Sequence, residues 1–136
     1  MEVSYFLHCT EDAKKVNSAV AELVAPGARM EEEGMVGHFG NPIVAVTLRL
    51  HGDDALVSLQ GLVARLPRPL RVELAKEIDK HVDEHSALYL RLDKQELVQG
   101  RVKAGSVDVV RIRVKPRAFA MKGRAKEFFV ETLAGK

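Results

Sequence analysis

The chain has 136 residues, 46% of them hydrophobic and 29% charged, which is enough apolar material for one two-layer domain. No apolar run approaches the roughly 18 residues of a membrane-spanning helix, and a lone cysteine, Cys9, excludes an internal disulfide framework. Net charge is only +2 but segregated: residues 1–100 carry 11 Lys/Arg against 16 Asp/Glu, and residues 101–136 carry 10 against 3. A basic end on a near-neutral chain suits a polyanion-binding surface, as it suits a merely solvated, ion-pair-rich face. The first residues show no signal-peptide pattern, so the expected compartment is the cytoplasm.

Residues 3–9, VSYFLHC, form a first apolar strand, with Cys9 expected as a small buried residue at its end. Thr10 then reads as an N-cap with Glu11 and Asp12 in the first turn, and Ala13, Val16, Val20, Leu23 and Val24 keep helical spacing until Pro26-Gly27. Residues 29–33, with the acidic run Glu31–Glu33, make a short strand. The glycine-spaced GMVGHFGNP (34–42) follows, and then the strand IVAVTLRL (43–50). Asp53 is expected to cap a second helix that buries Leu56, Leu59, Leu62, Val63 and Leu66. Pro67 and Pro69 should break it ahead of a shorter helix over 70–80. LYLRL (88–92) is the next strand. Residues 107–115 form the last, and 122–134 a final helix with Ala125, Phe128, Phe129 and Leu133 inward.

This order, with short gaps and no repeat, predicts one α+β domain over residues 1–136: a mostly antiparallel sheet with helices packed on one face. Strand side chains alternate with period two, so the apolar set of each strand leaves a polar set on the uncovered side. That set comprises Thr47, Arg49 and His51, then Tyr89 and Arg91, then Arg111, Arg113 and Lys115, with Ser4, Phe6 and His8 from the first strand. Guanidinium groups neutralise phosphate, and aromatic rings stack unpaired bases, so this face suits RNA. Equally, Arg and Lys on the solvent side of a sheet commonly do no more than discourage aggregation.

Asp93 and Glu96 read as a capping box opening a helix that Gly100 ends, leaving Lys94 and Gln95 as exposed donors beside Arg91. The GMVGHFGNP loop lacks the GK[ST] of a phosphate-binding loop, so nucleotide hydrolysis is disfavoured; His38 and Asn41 are its candidate contacts. His81 and His85 are four apart but have no third ligand and the wrong order for a zinc motif, so no metal site is expected. No nucleophile elbow or triad pattern is present. The expectation is a non-catalytic protein without a cofactor.

FLHCTED (6–12), GHFGNPI (37–43), LYLRLDKQ (88–95) followed by Gly100, and VDVVRIRVK resemble, in that order, an archaeal family of small RNA-binding proteins. Its members are described as predicted exosome subunits. The resemblance spans nearly the whole chain, and the GNP loop and the LRLDKQ junction are its most specific parts. It implies a fold similar to the large-subunit ribosomal protein that contacts 5S ribosomal RNA, and a role in RNA processing beside exosome or ribonuclease P components. It carries over no catalytic residues. The candidate RNA contacts are Arg49, Tyr89, Arg91, Lys94, Arg111, Arg113, Lys115 and Arg117, with His38 and Asn41 at the loop and Lys122, Arg124 and Lys126 extending the basic track. The alternative is a protein-interaction subunit of such an assembly without direct RNA contact; a homodimer is left open.

Overall fold

The computed structural model describes residues 1–37, 40–115 and 124–135. In chain order the elements are β1 Glu2–His8, α1 Ala13–Ala21, β2 Arg29–Val36, β3 Pro42–Arg49, α2 Gly52–Arg65 and α3 Arg68–Lys76. They continue with α4 Ile78–His81, β4 Leu88–Asp93, α5 Lys94–Val98, β5 Val109–Val114 and α6 Ala125–Leu133. The strands form a five-stranded sheet in the order β2-β3-β1-β5-β4, with each neighbouring pair antiparallel. This is the expected α+β architecture.

The core lies between the sheet and the helices. Val3, Tyr5, Leu7, Val46, Leu48, Leu90, Ile112 and Val114 come from one side of the strands. Against them pack Val20 of α1, Leu59 and Leu62 of α2, and Phe129 of α6. Burying each large aliphatic or aromatic side chain of this kind contributes about 1.5–3 kcal/mol. Tyr5 belongs to this buried set; its hydroxyl donates to Asn17 Oδ1 at 2.6 Å, and burial pushes its phenol up to about 12.

Helix starts differ from their sequence reading in an instructive way. Asp12, not Thr10, caps α1, accepting the amides of Lys14 and Lys15. The Glu11 carboxylate is drawn away to Lys94. Position 51 rather than Asp53 is the N-cap of α2, which leaves Asp53 and Asp54 in the first turn, where the helix dipole still favours them. Pro67 and Pro69 open α3 rather than only interrupting α2, because proline lacks the N–H that a first helical turn leaves unused. Cys9 is exposed in the turn after β1, not buried. Half of the expected capping box forms. Asp93 accepts the Glu96 amide at 2.9 Å, but the Glu96 carboxylate bonds Arg101 instead of reaching back. Gly100, at φ +83°, closes α5 as expected: its own amide and that of Arg101 return to the carbonyls of Leu97 and Glu96.

The strand β2 extends three residues beyond its expected end, to Val36. Its hairpin to β3 is closed by the Gly37 amide on the Asn41 carbonyl at 2.7 Å, with Gly40 at φ +80°. At the other edge of the sheet, the segment after α5 returns along β4. There the Gly105 amide meets the Arg91 carbonyl at 3.1 Å. A methyl group on Gly105 would stand 2.8 Å from the Asp93 backbone, which has no room to yield. The Gly105→Ala variant is therefore expected to lose about 1–3 kcal/mol of stability, measurable by chemical unfolding; an unchanged midpoint would show that this return segment is loosely held.

Candidate nucleic-acid interface

Strand pairing orders the uncovered side of the sheet into rows. One row runs Arg29, Arg49, Glu2, Arg113, Tyr89, and the next Glu31, Thr47, Ser4, Arg111, Arg91. A third carries Glu33, Ala45 and Phe6, and a fourth Met35, Ile43 and His8. Acids thus collect on the β2 side and cations on the β4–β5 side of one face. Alternation places Tyr89, Arg91, Arg111, Arg113 and Phe6 together on that face, as expected from their spacing.

Their surroundings differ sharply. The Arg113 guanidinium donates to the Tyr89 hydroxyl at 2.9 Å, lies 5.8 Å from the centre of that ring, and has Glu2 at 3.7 Å. Arg49 is already occupied: it bonds Glu2 at 3.0 Å and also Glu31. Its positive charge is balanced by two carboxylates at the surface, which makes it a weaker candidate contact than Arg91 or Arg111. Arg91 and Arg111 stand directly opposite one another on adjacent strands. Among the described residues, neither has a hydrogen-bonding or ion-pair partner. Like charges placed directly across a sheet destabilise it.

Lys94 requires a larger correction. It is 0% exposed, not a surface donor in the first turn of a helix. Its ammonium donates to the Phe6 carbonyl at 2.6 Å and to Glu11 at 2.7 Å, and lies 3.0 Å from Asp108. Three acceptors match its three protons, so nothing remains for a ligand. Gln95, also expected to be free, gives its amide to Glu11 and Asp108. His8 stands beside Glu11 and Asp108, and these three groups have the donor types of a metal site. However, the Lys94 ammonium already occupies the two carboxylates. His81 ends the short α4, and His85 lies in the turn beyond it, so the two do not share a continuous helix.

The remaining sequence candidates fall elsewhere. His38, Arg117 and Lys122 lie outside the described residues. Asn41 is exposed at the β2–β3 hairpin, across the sheet from β4. His51 lies beyond the end of β3 opposite to the end that meets His8, so the two histidines are not neighbours. Lys115 follows β5 on the basic side. Lys126, in α6, is paired with Asp79 at 2.6 Å.

Sequence reasoning missed a hollow of about 430 Å³ on the same face, bounded by Phe6, His8, Thr47, Val107, Asp108 and Arg111. It exists because β1 and β5 pair only from Glu2 to Ser4 and then separate. Past that point the Phe6 carbonyl receives Lys94 in place of a strand amide. Alternation placed Phe6 and Arg111 on this face, but the divergence of two strands distant in sequence leaves no local signal.

The sequence profile of the RNA-binding protein family matches residues 1–116. The chain belongs to this RNA-binding family. An RNA-binding protein of Pyrococcus abyssi is 33% identical over 132 residues, spanning 92% of this chain and 86% of that protein. The fold is similar to two solved structures of the family called DUF54. One, from Sulfolobus solfataricus, has a TM-score of 0.81 at 22% identity and covers 98% of this chain and 96% of that one. The other, from Methanothermobacter thermautotrophicus, has a TM-score of 0.69 at 25% identity, covering 98% and 93%.

Burial works to raise the carboxyls of Glu11 and Asp108. Hydrogen bonds from Lys94 and Gln95, the positive charge of Lys94, and for Glu11 the His8 amide, outweigh it and hold both below the usual range. Groups whose folded pKa is depressed contribute stability that is complete above the unfolded value of about 4 and fades as pH falls through the folded one. The Lys94→Met variant should lose about 2–4 kcal/mol, somewhat below a fully buried pair because Asp108 can rehydrate. It should also flatten the decline of stability below about pH 4. Unfolding titrations at pH 7 and pH 3 test this; equal losses at both would contradict the role assigned to the ion cluster.

Proposed function

We propose that this protein is a non-catalytic RNA-binding module that holds backbone phosphates on the β4–β5 side of its open sheet face. One observation carries the reading: Arg91 and Arg111 oppose each other with no partner among the described residues, whereas Arg49 and Arg113 on the same face have protein partners. A phosphate between them would turn a repulsive cross-strand pair into two charge-assisted contacts. Arg113 and Lys115 continue the track, and Tyr89, 41% exposed and braced by Arg113, offers a ring on which a base can stack. Arg49 and Lys94 take no part, while Arg117, Lys122 and Arg124 would extend the positive field.

The family's RNA-binding description and the Pyrococcus abyssi relative's name support this reading. The motif resemblance to a family of predicted exosome-associated proteins, with the ribosomal-protein-like fold which that resemblance implies, supports, more specifically, an accessory role in cytoplasmic RNA processing or degradation. Exosome or ribonuclease P components are the candidate partners. A protein-binding role is favoured by one further feature: all eight residues of β2 are exposed, including Met30, Met35 and the Glu31–Glu33 run. This acidic edge can serve a basic protein partner or a second copy while the opposite side of the face holds RNA.

Replacing Arg91 and Arg111 together with alanine is expected to weaken RNA binding and lower the slope of log affinity against log salt by about 1.4–1.8, two phosphate contacts at ~0.7–0.9 each. Arg49→Ala should leave that slope unchanged. Unaltered affinity and slope in the double variant would show that the polymer binds elsewhere. Association with a protein partner that survives nuclease treatment and depends on Glu31–Glu33 would place the partner on β2; loss of association with the RNA would remove that reading.

A further inference from the structure

The hollow beside Arg111 brings apolar, polar and cationic groups together. Phe6 is 39% exposed on one side and Val107 is 93% exposed on another. Two uncovered apolar groups thus flank a depression that also takes in Ser4, Thr47, His8, Asp108 and Arg111. Its floor includes Ser4 and Thr47, which face each other across β1 and β3, and neither hydroxyl bonds another described residue. His8 lies at one end. At the other is Arg111, whose guanidinium is unpaired among the described residues. A volume near 430 Å³ falls within the roughly 300–1,000 Å³ of small-ligand sites.

The hollow is also built to stay open. Where β1 and β5 separate, collapse would ordinarily restore strand pairing. Here the buried Lys94 ammonium holds the Phe6 carbonyl on one side and Asp108 on the other, fixing the gap. Apolar walls, hydroxyls able to donate or accept, and a cation at the mouth together fit a planar heteroaromatic group attached to a phosphate. Duplex RNA keeps its bases stacked and paired, so it cannot fill such a space without unstacking one; single strands can.

We infer that the hollow between Phe6 and Val107 receives one unstacked base of a single-stranded RNA segment whose adjacent phosphate lies on Arg111 and Arg91. This rests on the RNA-binding reading above and adds to it the kind of RNA: unpaired, with one nucleotide held by its base. Phe6 supplies the stacking surface, while Ser4, Thr47 and His8 meet the polar edge of the base.

The test uses the full chain and a short single-stranded RNA oligonucleotide, followed by fluorescence anisotropy, with an abasic site moved through each position in turn. One abasic position should cost roughly 5- to 150-fold in affinity, the range of a single base–aromatic stack. Phe6→Ala should cost a similar factor on intact RNA and nothing further on the RNA abasic at that position. Val107→Glu, at a site too exposed to disturb folding, should also weaken binding to intact RNA. Arg91→Ala with Arg111→Ala should weaken intact and abasic RNA alike. If no abasic position matters, or if Phe6→Ala and Val107→Glu bind as tightly as the wild type while the arginine variant is weakened, the face is right and the base site is wrong. If the arginine variant is also unaffected, the phosphate-binding face fails, and the base site with it.

Discussion

The fold of the candidate site depends on one ammonium group. Lys94 is buried where β1 and β5 part, and it joins a strand carbonyl, the start of α1 through Glu11, and the approach to β5 through Asp108. An isolated buried cation would be prohibitively costly, so the cluster holds only because three acceptors surround it. Gln95 adds its amide to both carboxylates and completes a network in which each partner restrains the others. Take the lysine away and two acids face each other across a gap with no strand pairing to close it. The hollow, the orientation of Phe6 and the course of residues 105–109 follow from this arrangement.

Sequence alternation located the open face well because its rule is local. In β4 and β5, apolar and cationic residues alternate with period two, and burial on one side makes any other register expensive. Phe6 and Tyr89 were found by the same rule. What alternation cannot supply is which strands are neighbours. Arg49 looked equivalent to Arg91 within its own strand, yet β3 lies between the strands bearing Glu2 and Glu31, whereas Arg91 lies opposite another arginine. The difference between a spent charge and an available one is a property of strand order.

Lys94 shows a different failure. A lysine after an aspartate cap, in the first turn of a short helix, reads as solvent-facing, since lysine is rarely buried. Nothing within ten residues announces its partners: Phe6 and Glu11 are more than 80 positions away. The capping signals erred more mildly, by one or two residues, because several acids or hydroxyls stood close together and tertiary demand chose among them. Glu11 went to Lys94, which left Asp12 to cap α1.

The arginine pair and the lysine cluster bear on each other. Proteins break local rules where function requires it and compensate elsewhere. Here the rule broken is charge pairing between neighbouring strands, in the row Ser4, Arg111, Arg91, one of those where β1, β5 and β4 are in register. Compensation is available on the next row, where Glu2 lies between Arg49 and Arg113, and below the face, where Lys94 ties β1 toward β5. Both leave Arg91 and Arg111 unneutralised among the described residues. Glu31 and Glu33 of β2, three strands from β5 and four from β4 on the same face, set acids at one edge of the surface and cations near the other. A polyanion brought to such a face would be drawn toward β4–β5 and repelled from Glu31 and Glu33, so the charge layout alone would limit where it could lie.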